Sequence, residues 1–157
     1  QMSLAKAREH LAKYGLEGKI MEFSASSASV VEAANAIGCK EREIVKTLSF
    51  MLGENPILIA VAGDYKINNA KFKEAFGTKA KMIPFDEVES RIGHAVGGVC
   101  PFGVNANVKA YLDICLQNLT TLYPACGNAN SAVCLTLEEL EKASCFEKYI
   151  DVCSPMT

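Results

Sequence analysis

The sequence is short of the groups that would announce a metal centre, a membrane span or a nucleic-acid coat. Only two histidines stand in 157 residues, and none of the seven cysteines forms a Cys-x-x-Cys pair. The usual nitrogen and sulfur ligand sets for zinc are therefore not assembled along the chain, and no metal is expected. An odd, scattered set of cysteines in a chain of this size also argues against a disulfide framework and for reduced thiols in a cytosol. No apolar run approaches the roughly 18 to 20 residues needed to cross a bilayer, and no charged-then-apolar leader opens the chain. A soluble, unexported, cytoplasmic protein is expected, with Gln1 ahead of Met2 set aside as foreign to it. The formal net charge is −2, whereas proteins that coat nucleic acid carry a basic footprint, so DNA binding is not expected. Repeats, low-complexity tracts and linkers are lacking too, and the length suits one domain, residues 2–157, with its own core.

What is present is a series of short elements. Ser3 to Tyr14 places Leu4, Ala7, Leu11 and Tyr14 at helical spacing behind a capping serine and stops at Gly15. Lys19 to Phe23 alternates as a strand, and Ser29 to Ile37 reads as a helix closed by Gly38. Ile44 to Leu52 and Ile57 to Ala62 form a hairpin across Gly53-Glu54-Asn55-Pro56, the second strand so continuously apolar that both its faces should be buried. Further helices are predicted over Asn68 to Phe76, Pro84 to Ile92 and Leu137 to Ala143. Further strands are predicted over Val108 to Leu116, Thr120 to Ala125, Ala132 to Leu135 and Tyr149 to Val152. Strands in adjacent runs imply an α+β domain with a mixed, mostly antiparallel sheet and helices around it. A doubly wound fold fits less well, because the glycine-rich segment follows a helix and lacks dinucleotide or P-loop spacing.

Three features could carry chemistry. The stretch from Gly93 to Gly103 holds four glycines and Pro101. Gly97, Gly98 and Gly103 could bring backbone N–H groups against a ligand oxyanion, or they could make a tight structural turn. Lys46 interrupts an apolar strand on the face of Ile44, Leu48 and Phe50, so its ammonium either snorkels to the rim or meets an anion such as a phosphate. Between Asp64 and Lys81 there are five lysines against two acids, a segment charge of +3. Lys66, Lys71 and Lys73 within it are either a solvated face or a guide for phosphates.

Ile44-Val45-Lys46-Thr47-Leu48 followed by Gly97-Gly98-Val99-Cys100-Pro101-Phe102-Gly103 resembles the YbaK/EbsC family of prolyl-tRNA editing domains. Ala33 to Gly38, Val108 to Asp113 and Pro124-Ala125-Cys126-Gly127 extend the resemblance over nearly the whole chain. It implies a barrel-like sheet of the type found in domains associated with prolyl-tRNA synthetase. The activity implied is hydrolysis of the ester joining a wrong amino acid, alanine or cysteine, to the 3′ acceptor end of a tRNA, most often the proline tRNA, by a free-standing factor. No cofactor is implied, and the partners are mischarged tRNA and a prolyl-tRNA synthetase. Carried over, Lys46 holds the terminal phosphate. Gly97, Gly98, Cys100, Pro101 and Gly103 form the loop that meets the ester carbonyl. Phe23, Asp113 and Gly127 bound the substrate, and water attacks with help from the ribose hydroxyl. Two positions depart from the family pattern: Cys100 stands where many members have serine, and Asn128 where alanine-specific members often have histidine. Asn128 or Asn130 either donates a hydrogen bond to the substrate or shapes a turn. Two other functions compete with editing. One is a thiol hydrolase with Cys100 as nucleophile and His94 as base. The other is a module that binds tRNA or a synthetase without hydrolysis.

Overall fold

A computed structural model describes residues 2–156. Its centre is the expected hairpin, Ile44–Leu52 (β2) and Asn55–Ala62 (β3), antiparallel over eight residue pairs from Val45↔Ala62 to Leu52↔Asn55. Lys109–Asp113 (β5) and Tyr149–Ile150 (β9) extend the sheet in parallel beyond β3. Thr121–Pro124 (β6) and Leu135–Thr136 (β8) extend it beyond β2, in the order β8-β6-β2-β3-β5-β9. Two small ribbons close the ends: Ile20–Glu22 (β1) with Ser131–Val133 (β7), and Tyr65–Ile67 (β4) with Cys153–Pro155 (β10). Among the described residues four of these seven pairings are antiparallel. The mixed sheet curls into a half barrel with five helices around it, as the α+β expectation requires. Among the described residues no helix is long and apolar enough to cross a membrane.

Strand β3 explains the layering. Ile57, Ile59 and Val61 belong to the large core, which also takes Leu4, Ala7 and Leu11 of Met2–Ala12 (α1), Phe72 of Asn69–Phe76 (α3) and Leu140 and Ala143 of Leu137–Ser144 (α5). Leu58 joins a second cluster with Ile83, and with Val88 and Ile92 of Val88–Ile92 (α4). The strand is thus covered on both faces, which is why its sequence shows no alternation. Val30–Ile37 (α2) starts at Ser29, whose hydroxyl accepts the Glu32 N–H, and ends at Gly38 with φ of 82°. The stop at Gly38 is the one read from the sequence, whereas Ser29, read there as the first helical residue, is the cap.

Some boundaries move. The helix anticipated from Pro84 shortens because Pro84 keeps an extended ψ of 143°, so Phe85–Glu87 is a 3₁₀ turn before α4. The strand anticipated to Leu116 stops at Asp113, where a 3₁₀ helix over Ile114–Asn118 begins. Asp113 was anticipated at the substrate; it is instead a structural clamp, 1% exposed. One carboxylate oxygen accepts the Cys115 N–H at 2.9 Å and the other the Val152 N–H at 2.8 Å, tying β5 to the approach to β10.

Removing that carboxylate leaves two buried N–H groups without partners, each costing about 1–3 kcal/mol. Asp113→Ala should therefore lower the unfolding free energy by about 2 kcal/mol or more in a urea titration. A loss under about 0.5 kcal/mol, the usual scale of surface substitutions, would remove Asp113 from this role.

Candidate functional site

The sheet leaves a gap beside β2. On that edge β6 pairs only with Ile44 and Val45. Farther along, the segment Lys81–Ile83 takes over: Met51 N–H donates to Lys81 O at 2.9 Å, Ile83 N–H donates to Ser49 O at 3.1 Å, and Phe50 bridges Met82. Between these two covers, Lys46, Thr47 and Leu48 have β3 on one side and, among the described residues, no strand on this edge. A cavity of about 360 Å³ opens there, walled by the start of α2, by Met82, Ile83, Phe85 and Val88, by Val96, Gly97 and Val99, and by Ser131 and Ala132. Its size lies within the range of small-molecule sites.

The cavity brings together Lys46 and Gly97 of the anticipated residues. Lys46 is half-buried, its Nζ 3.4 Å from Gly63 O and 3.7 Å from Met156 Sδ. Burial lowers its pKa, partly offset by nearby Cys153, Cys115 and Asp64. Gly97, at φ of 91°, has Ala28 and Ala129 close on either side, so an added methyl would press on both. Gly98 is outside the cavity wall, and its role is a close backbone crossing. Gly127 N–H donates to Gly98 O at 2.9 Å, and a side chain on Gly98 would overlap the Asn128 and Gly127 backbone. Gly103 and Gly127, both at positive φ, similarly let the backbone of α1 pass, at Lys6 and Ser3 respectively.

The anticipated place of Cys100 in the pocket wall is corrected. Cys100 and Phe102 are wholly buried in the large core, and Pro101 is buried beside them, while Val99 lines the cavity. The Cys100 Sγ is 3.5 Å from His94 Nε2, which invites comparison with a Cys–His dyad. However, Nε2 also bonds the Phe102 carbonyl at 2.5 Å. A carbonyl only accepts, so that nitrogen carries the proton and cannot take one from the thiol. Burial pushes the Cys100 thiol well above its ordinary pKa and holds His94 below the usual imidazole value. Both groups are thereby kept neutral, the reverse of what a thiolate nucleophile needs.

The remaining anticipated residues are placed around the site rather than in its wall. Asn128 is buried, its Oδ1 accepting the Asn130 N–H at 3.0 Å, the turn-forming option. Phe23 N–H donates to Asn130 O at 2.8 Å, so Phe23 and Asn130 continue the β1–β7 ribbon. Lys66 and Lys73 are exposed, while Lys71 bonds Asp151 at 3.1 Å and Cys153 O at 2.9 Å. Sequence reasoning missed Thr47 and Ser131. Their hydroxyl oxygens are buried without a hydrogen-bond partner among the described residues, and both residues line the cavity. The signal for Thr47 was its place next to Lys46; Ser131 had none.

Comparisons with known proteins bear on the family and the fold. The aminoacyl-tRNA editing domain family matches residues 25–143. A Bacillus subtilis protein, "Uncharacterized protein YwhH", is 45% identical over 153 residues, 97% of this chain and 98% of that one. A proline–tRNA ligase of Staphylococcus aureus is 33% identical over 92 residues, 58% of this chain but 16% of the ligase. Among solved structures, one described as a "putative trans-editing enzyme for prolyl tRNA synthetase" is similar with a TM-score of 0.87 at 28% identity, covering 98% of both chains.

The burial of Cys100 is open to a direct check. In the folded protein iodoacetamide should modify exposed Cys145 readily and Cys100 only after unfolding, as mass mapping of the alkylated peptides would show. Native labelling of Cys100 at a rate like that of Cys145 would contradict its placement in the core.

Proposed function

The chain belongs to the aminoacyl-tRNA editing domain family, and from that premise we propose that it is a free-standing deacylase that removes alanine or cysteine from the 3′ end of proline tRNA. The observation that carries this reading is the gap in the sheet edge, where Lys46 and the Gly97 backbone line one cavity. A cationic group and a stretch of bare backbone are what an ester between an amino acid and a nucleotide asks for. The charge suits the terminal phosphate. Backbone N–H groups suit the oxygen of the carbonyl as it becomes an oxyanion.

In the proposed reaction, water attacks the ester carbonyl, a free ribose hydroxyl of the terminal nucleotide assists the proton transfer, and the esterified ribose oxygen departs with a proton. The chain then needs to orient and shield, with no covalent intermediate. Thr47 and Ser131 line the cavity, and their buried, unpartnered hydroxyls would meet the amino acid end of the substrate only after turning about χ1. Editing of this kind answers a physical limit, because a synthetase pocket separates side chains differing by one methylene by only about 1–3 kcal/mol. The likeness to part of a proline–tRNA ligase and to the trans-editing structure favours the proline tRNA as substrate.

The deciding measurement is deacylation of alanyl- and cysteinyl-tRNA for proline by the purified chain, with correctly charged prolyl-tRNA as control. Hydrolysis of at least one mischarged species and sparing of the control is the expected result. Lys46→Ala should cut the rate about a hundredfold or more, given that charge-assisted contacts to phosphate are worth about 3 kcal/mol, while the circular dichroism spectrum stays unchanged. Activity near that of the parent would remove Lys46 from the site.

The lysine segment is proposed to guide the tRNA through Lys66 and Lys73, since Lys71 is already engaged. Replacing both with glutamate should weaken tRNA binding and flatten its dependence on log salt by about one to two, the release of one or two counterions. An unchanged slope would return these lysines to the solvent.

A further inference from the structure

The mouth of the cavity exposes more apolar surface than a small amino acid requires. Among the described residues three of the well-exposed large hydrophobic side chains, Met82, Phe85 and Val96, stand at this one opening. Phe85 is 77% exposed and Met82 58%. A ring left this far in water gives up most of the stabilisation its burial would bring, and apolar groups gathered at one cavity mark a binding surface.

The segment that carries them is braced. Its backbone is bonded to β2 through Lys81 and Ile83, Glu87 N–H closes the turn onto Pro84 O at 2.8 Å, and Ile83 and Val88 are buried beneath it. The ring therefore stands on a rigid turn, and little ordering cost remains when a ligand meets it.

The chemistry of the surroundings selects the ligand. Lys46 lies within the cavity, but Phe85 itself is followed by Asp86, which repels phosphate, and by Glu87, which is already paired with Arg91 at 2.8 Å. A neutral flat group fits there, and every nucleobase has a π face that an aromatic side chain can stack on. Three side chains are too few for a stable protein interface, which covers about 800 Å² on each partner.

We propose that Phe85, flanked by Met82, is a base-stacking platform that holds the terminal base of the RNA 3′ end while the ester it carries enters the cavity. This rests on the editing function proposed above, and adds to it a positioning residue at the rim that acts by binding.

The chain contains no tryptophan, so Phe85→Trp places a lone fluorophore at the mouth. Titration with an RNA hairpin ending in CCA should quench it, and the same hairpin with an abasic last nucleotide should not. In steady-state deacylation, Phe85→Ala should raise KM about tenfold, equivalent to about 1.4 kcal/mol, with kcat within about twofold, because contact to the base is the same in the ground and transition states. Phe85→Trp should restore KM. Equal quenching by the abasic hairpin, or an unchanged KM for Phe85→Ala, overturns the proposal. So does quenching by prolyl-tRNA synthetase with none by RNA, which would assign the ring to a protein partner. If the parent chain hydrolyses no mischarged tRNA, the proposed function falls, whereas the fluorescence titration still decides whether Phe85 stacks a base.

Discussion

A strand edge that is left unpaired must be covered, charged or used, and the molecule is organised around one such edge. Strand β2 is committed to β3 along one side for eight residue pairs, so its position and register are secure. Its other side is shared by two pieces of chain that do not meet, β6 at Ile44 and Val45 and the Lys81–Ile83 segment at Ser49 to Met51. The cavity is the interval between them. Lys46 is half-buried for the same reason: it lies between the buried pairs Ile44–Val45 and Ser49–Phe50, at a stretch where enclosure is interrupted.

The opposite wall is held by backbone against backbone. Gly98 and Gly127 cross closely enough to share a hydrogen bond, and neither position could carry a side chain without moving its neighbour. Because Gly127 and Gly103 also lie against α1, the first helix is part of the support of the site although it contributes nothing to its lining. The glycines thus divide by task. Gly97 faces the cavity, and the others bring three segments of chain together at spacings a side chain would forbid.

How much of this was legible in the sequence depended on whether a residue's environment leaves a periodic trace. The β2–β3 hairpin, the helix stop at Gly38 and the lysine out of place in an apolar strand were all visible, because each is a local departure from or adherence to a pattern. Strands β4 and β10 were not: among the described residues they pair only with each other, and Pro155 in β10 is a residue that sequence reading sets against a strand. The position of Cys100 was misjudged because a motif's serial neighbours were taken to share one wall. Val99 reaches the cavity, while Cys100, Pro101 and Phe102 after it are buried. Nothing in the sequence singled out Phe85 and Met82, since apolar character is written in a sequence and exposure is not.

The electrostatics of Lys46 connect this architecture to chemistry. Its surroundings depress the ammonium pKa, which means that burial has already taken part of the hydration that would favour the charge. The nearby Gly63 carbonyl and Met156 sulfur are neutral acceptors and compensate that loss only partly. An arriving phosphate would supply the missing counter-charge at a point where water is already partly excluded, so the attraction is stronger than the same contact on an open surface. On the proposed role, the cost of holding Lys46 at the gap is carried in the free protein and would be recovered when phosphate binds. A lysine on the rim, fully hydrated, would have no such deficit to recover, and exchanging its water for phosphate would gain far less.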